Sequence, residues 1–248
     1  WPRDWSSDVC SSDLMKRLLA SLLLLTLCGA ARAQISIEEG GQRDWLTSFT
    51  AVEVAAPLDI RFVRVPDTEA PKIIYDTKGS TSTRFRFEVR DRVLTITERP
   101  DSRRTERTQV TVCYNTLERI AVADAVAKFD STLRATVLDL TIGGEARVEA
   151  QLAVKDLNLN QTGRSRATLS GEARYLTLYL STGSLDARAL ETMSTEANVT
   201  SSGTATLWVT DRFEGKTSTG GKITYRGTPT VVRGGTKFMG GDITRVEE

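Results

Sequence analysis

The sequence predicts an all-β fold, a right-handed parallel β-solenoid with an N-terminal antiparallel β layer. Three observations point to it. Glycine recurs every 20 residues in the second half of the chain, at Gly143, Gly163, Gly183 and Gly203, with looser echoes at Gly220-Gly221 and Gly240-Gly241. A fixed period of that size marks repeats that stack on one another. Apolar residues alternate with polar ones through most of the chain, with almost no helical periodicity. Small or aliphatic residues also stand at matching places after each glycine: Ala146, Val148 and Ala150; Ser165, Ala167 and Leu169; Leu185, Ala187 and Ala189; Ala205, Leu207 and Val209. Alternation aims each set to one side of a strand.

Residues 1–14 are set aside. Arg3 to Leu14 can be back-translated into a string that resembles a common sequencing-library adapter read in frame. Residues 15–33 are expected to be a signal peptide. Met15 opens them, Lys16-Arg17 form a short basic region, Leu18 to Leu27 an apolar stretch, and Ala31-Arg32-Ala33 a small-x-small cleavage site. The apolar stretch is shorter than the ~20 residues of a membrane span. A competing reading makes Cys28 a lipid-bearing cysteine, although Leu27 stands where a small residue is normally needed. No later segment is apolar enough to cross a bilayer, so an exported protein, periplasmic or at the cell surface of a Gram-negative bacterium, is expected. Residues 34–44 form a short N-terminal segment before a single domain at 45–246.

Within that domain, 45–116 is expected to hold short strands. Phe49, Ala51 and Val54 line one; Leu58, Ile60 and Phe62 line the next; Lys72 to Asp76 follows. Phe85, Phe87 and Val89, then Val93 to Thr97, and finally Gln109 to Tyr114 complete the set. Pro57, Pro66-Asp67, Gly79-Ser80, Asp91 and Pro100-Asp101-Ser102 separate the runs as turns. Arg99 to Arg107 is highly charged and reads as a solvated loop.

From 117 to 246 the repeats take over. One coil cannot bury its own apolar side, so like residues stack about 4.8 Å apart and build a continuous interior. At about 20 residues per coil the segment makes roughly six coils, a stack on the order of 30 Å tall. Leu138 and Leu140, Leu157 and Leu159, and Ala197 and Val199 line the interior before each glycine. The rung at Leu176 to Leu180 is shifted by one against the glycine marks. Glycine suits sharp turns with positive φ, and Thr162, Ser181-Thr182, Ser201-Ser202 and Ser218-Thr219 can bond local turn backbone.

The segment from Thr204 through Thr-Asp-Arg-Phe-Glu-Gly-Lys to Pro229 resembles the closing repeat of the auto-transporter adhesin head, or GIN, domain family. Phe49-Thr-Ala-Val-Glu-Val54 and Val110-Thr-Val-Cys-Tyr114 resemble that family's opening strands. The likeness covers about residues 45–246. It implies an exported all-β protein of the bacterial cell envelope and supplies no catalytic residues. Asp124 and Arg164-Ser165 depart from the family's Gly/Ser-rich turns, so irregular coils are expected there.

Composition narrows the chemistry. The chain has no histidine, which excludes His-based triads, bases and metal sites. Without residues 1–33 it loses Arg3, Lys16, Arg17 and Arg32 from 33 basic residues and Asp4, Asp8 and Asp13 from 32 acidic ones, leaving 29 of each. That balance argues against nucleic acid as a partner. Cys113, the one cysteine left, is expected buried in a strand. Gly143-Gly144 is no phosphate loop, since no helix or Lys-Ser/Thr follows, and the Asn198-Val-Thr200 sequon says little in a bacterial-looking exported chain. No cofactor and no metal is expected.

One constellation stands out. Alignment on the glycines places Glu149, Thr168, Arg188, Trp208 and Arg226 in one outward line, and Arg147, Arg166, Asp186, Thr206 and Thr224 in another. Trp208 between Arg188 and Arg226, with Asp186 nearby, could stack on a sugar ring or an acidic glycan; it could equally cover an edge or serve its β propensity. Glu145 and Glu149 on one strand face would be about 13 Å apart, beyond the roughly 5–9.5 Å of glycosidase pairs. Glu145 above Arg164 reads as an ion-pair ladder, and the alignment shows no line of two carboxylates. The expected function is a non-enzymatic binding or adhesion module of the envelope, whose partner is a glycan or protein. The alternatives are a β-helix polysaccharide lyase or hydrolase, and a structural assembly partner.

Overall fold

A computed structural model describes residues 41–79, 84–100, 102–103 and 105–247. The adapter-like segment, the signal peptide and Cys28 lie outside them. Among the described residues there is no helix. The strands are β1 Gln42–Trp45, β2 Ala51–Ala55, β3 Asp59–Arg64, β4 Lys72–Asp76, β5 Arg86–Arg90, β6 Val93–Thr97, β7 Gln109–Tyr114, β8 Arg119–Ala123, β9 Val126–Phe129, β10 Leu133–Gly143, β11 Arg147–Thr162, β12 Arg166–Ser181, β13 Ser184–Thr200, β14 Thr204–Ser218, β15 Lys222–Arg226, β16 Val231–Phe238 and β17 Asp242–Arg245. They form a β-solenoid of about six turns.

Parallel pairing builds the stack. One inward line runs Val110, Ile60, Ala127, Val148, Ala167, Leu185, Ala205, Ile223 and Ile243. A second runs Leu94, Val52, Ile120, Leu140, Leu159, Leu178 and Ala197. Leu185 and Leu207, the pair on which the stacking argument turns, are 2% and 1% exposed and face the same interior. Phe62 and Phe129 are register partners, and their rings stack at 4.6 Å. Repetition of like shapes at strand spacing lets aliphatic and aromatic groups pack without voids.

The antiparallel pairings at the N-terminal end are β1 with β4, β4 with β7, and β5 with β6. Tyr75, Phe85 and Phe87 cluster there, 4.9 to 6.0 Å apart, against the core. The remaining N-terminal strands belong to the stack. β2 lies between β6 and β8, and β3 between β7 and β9, all parallel. β2 and β3 therefore lie inside the stack, with the later strands β6 and β7 on one side of them and β8 and β9 on the other.

The turns explain the glycine marks and correct their use. Arg147, Arg166, Ser184, Thr204, Lys222 and Asp242 are register equivalents, spaced 19, 18, 20, 18 and 20 residues apart. The glycine period of 20 thus samples one turn line at drifting positions: Gly163 and Gly183 have positive φ, whereas Gly143 and Gly203 do not. The Leu176–Leu180 rung is in register with Leu157–Gln161; the drift lies in the marks. Gly163 does need its missing side chain, because a Cβ would sit 2.6 Å from the Gly144 carbonyl oxygen. Asp124 and Ser165 are regular parts of this line rather than breaks. Asp124 takes φ 63° and its Oδ1 accepts from the Glu145 amide at 2.9 Å. Ser165 is fully buried and its hydroxyl donates to the Thr162 carbonyl at 2.9 Å.

Cys113 is buried in β7, and the described part of 99–107 is exposed. No helix among the described residues is long and apolar enough to cross a membrane.

Candidate functional site

β13 and β14 position the surface that carries Trp208. On β13 the alternation breaks at Arg188-Ala189: both are exposed, and Leu190 returns to the core fully buried. Two successive outward residues turn a corner of the coil. Against β14 the register jumps from Ala187↔Leu207 to Glu191↔Trp208. Arg188 therefore drops out of line, Ala189 points outward rather than in, and Glu191 takes the place beside Trp208.

The outward line through the indole runs Glu172, Glu191, Trp208, Arg226 across β12, β13, β14 and β15. The Arg226 guanidinium carbon lies 4.1 Å from the Trp208 ring centroid. Trp208 is half-buried, with one face covered by this cation. Gly227, with φ 101°, follows Arg226 where a Cβ would run into the Val209 carbonyl oxygen. The electrostatic gradient is steep: two glutamates, a ring and a guanidinium follow one another at strand spacing.

Asp186 lies in the line Glu149, Thr168, Asp186, Thr206, Thr224 rather than with Arg147 and Arg166. Its Oδ1 accepts from Arg188 Nε at 2.8 Å. Of the four residues expected at the site, the structure brings together Trp208 of β14 with Arg226 of β15, and Asp186 with Arg188 within β13, as two separate pairs.

The sequence reading missed both lines of paired carboxylates. Glu172 and Glu191 are register partners, as are Glu196 and Glu214. The second pair is bridged by Lys216, whose Nζ lies 3.5 Å from Glu196 and 3.3 Å from Glu214. The hydrogen bond to Glu214, followed by the charges of Glu214 and Glu196, raises the Lys216 pKa. Register, not spacing from glycine, reveals these pairs, because the corner at Arg188-Ala189 displaces everything after it. Glu145 stands in a turn rather than on the strand of Glu149; it pairs with Arg164 at 2.9 Å, as the ladder argument expected. Glu149 pairs with Lys128 at 3.1 Å. No group of three or more His, Cys, Asp or Glu side chains among the described residues could hold a metal ion.

The fold has solved counterparts. A crystal structure described as a "putative adhesin" from Bacteroides fragilis superposes with a TM-score of 0.70 at 20% identity, covering 83% of this chain and 94% of the other. A "putative adhesin" from Parabacteroides distasonis gives 0.62 at 20% identity, over 83% and 96%. A "putative lipid binding protein" from the same species gives 0.60 at 15% identity, over 84% and 96%. At these identities the likeness speaks for the fold. No functionally curated protein matches the chain. The family model described as "Putative auto-transporter adhesin, head GIN domain" matches residues 48–229, most of the chain, and the chain belongs to that family.

Proposed function

We propose that the protein is an exported, non-enzymatic adhesion-type module of the bacterial cell envelope. Its work is to present the stacked outer face of the solenoid to an envelope glycan or protein. The observation that carries this reading is the line Glu172, Glu191, Trp208, Arg226, set on four adjacent paired strands beside the Asp186–Arg188 pair. With the guanidinium over one indole face, the ring edge and the two exposed carboxylates are placed to meet a ligand's hydroxyls. Sugars suit such a mix of aromatic surface and directional polar groups. The basic region and cleavage site near the start of the sequence support export, and the family's adhesin description supports an envelope role.

The test is a glycan and envelope-lysate binding screen of the full chain, repeated with Trp208→Ala and Arg226→Gln. Retained ligands lost in either variant support the reading. An empty screen, or ligands held equally by both variants, contradicts it.

A second reading, polysaccharide hydrolysis, is favoured by Glu172 and Glu191 standing in register on adjacent strands, close enough for a carboxylate pair. Both are exposed, and an exposed pair leaves water free to reach a reacting bond. Release of reducing ends by the full chain, abolished in Glu172→Gln and Glu191→Gln, would establish it over binding.

A further inference from the structure

A different part of the same outer face has the make-up of an anion site. A shallow cleft of about 450 Å³ is lined by Asp59, Arg107, Val126, Glu145, Arg147, Arg164 and Arg166. That volume falls within the range of small-ligand sites. The cleft exists because the outward line through β3, β9, β11 and β12 runs Asp59, Val126, Arg147, Arg166. Val126 is short, so a gap opens between the longer side chains on either side.

Its charge does not balance. Arg164 is held by Glu145 at 2.9 Å, and Arg107 by Asp59 at 3.7 Å. Arg147 and Arg166 are register partners on adjacent parallel strands, and neither has a carboxylate within ion-pair distance among the described residues. Like charges directly opposite one another destabilise a sheet. The same molecule resolves the converse problem internally: Glu196 and Glu214, also register partners, share Lys216. No such bridging group stands between the two arginines, since Glu145 is engaged by Arg164 and Glu149 by Lys128. Four guanidiniums against two carboxylates leave a local charge of two, matching one dianion.

We propose that this cleft binds the phosphate or sulfate ester of a sugar, the oxyanion bridging Arg147 and Arg166. Planar guanidiniums on neighbouring strands can each offer two N–H groups to such an oxyanion. The volume exceeds what the ester group fills alone, and the Val126 side chain gives the sugar's C–H face an apolar floor. A concave cleft of this size suits a projecting ester better than a flat bilayer surface. The inference does not rest on Trp208, which lies on other coils.

Titration calorimetry of the full chain with glucose 6-sulfate and glucose 6-phosphate tests it, with glucose, inorganic sulfate and phosphatidic acid vesicles as comparisons. The expected result is saturable binding of at least one ester, absent for glucose. It should weaken by at least tenfold in the double variant Arg147→Gln, Arg166→Gln, and hold in Arg174→Gln, an exposed arginine at a coil corner. The double variant should keep or slightly raise its Tm without ligand, because both side chains are exposed and a like-charge pair is removed, and should lose the Tm rise that the ester gives the unaltered chain. Equal affinity in the double variant, no saturable binding of either ester, inorganic sulfate binding as tightly as the sugar ester, or binding to the vesicles alone would each overturn the proposal. Failure here with a positive Trp208-dependent glycan screen would leave the adhesion reading standing, and the reverse result would leave this site standing.

Discussion

The guanidinium of Arg226 rests over the indole of Trp208, 4.1 Å from its centroid, from the strand that follows it in the stack. The two are direct register partners, so the contact needs no side-chain excursion. A cation over a partly exposed ring contributes about 0.5–1 kcal/mol. Chemical denaturation of Trp208→Leu, Arg226→Gln and the double variant should return a coupling of that size by a double-mutant cycle. A coupling indistinguishable from zero would mean that the two side chains part in solution.

Gly171 sits within β12 at φ 100°, where an added methyl would run into the Leu152 carbonyl oxygen on the strand below. Gly79 also has positive φ, 72°, yet faces open space. The backbone penalty is shared, and only Gly171 adds a collision with a rigid neighbour. Gly171→Ala should cost roughly 2–4 kcal/mol, and Gly79→Ala roughly 1 kcal/mol. Thermal unfolding of the two variants distinguishes them; equal costs would remove the close approach of β11 to β12.

Cys113 is buried in β7, and burial pushes its thiol pKa up. A buried thiol is a poor nucleophile. Reaction with a soluble disulfide reagent should be negligible in the folded protein at neutral pH and complete in denaturant. Prompt labelling of the folded chain would contradict the packing of β7 between β3 and β4.

Tyr114 is almost completely buried, and desolvation raises its pKa to about 12 from the usual 10, against an opposing effect of the Arg64 charge. The folded state therefore holds the phenol proton more tightly than the unfolded chain. The stabilisation is fully present below pH 10 and is lost as pH rises from about 10 to about 12. Stability measured by denaturant should fall across that window, less steeply in Tyr114→Phe. An identical slope in the variant would assign the fall to other groups.

Much of this architecture is legible in the chain because burial imposes an inside-outside alternation wherever a strand runs straight. Leu138, Leu140, Leu157 and Leu159 announce their side of the strand without reference to any turn. What the spacing hides is the turn itself. Coils of 18 to 20 residues share a turn line that accepts Gly144, Gly163, Gly183 and Ser202, or Asp124 with its own side chain as a partner, so glycine is an imperfect ruler. Glycine spacing misplaces Arg188 for that reason, and because the buried Leu190 forces Arg188 and Ala189 outward together. The placement of β2 between β6 and β8 was equally hidden, since it joins strands far apart in sequence through pairings that no local pattern specifies.

Both proposed surfaces depend on this register, and methyl-labelled NMR reads it directly. Leu159 should show NOEs to Leu140 and Leu178, its neighbours in the layers below and above, and the Trp208 ring should show them to Arg226 and Glu191 rather than to Arg188. Absence of the leucine contacts, or an indole found against Arg188, would contradict the stacking from which both sites are drawn.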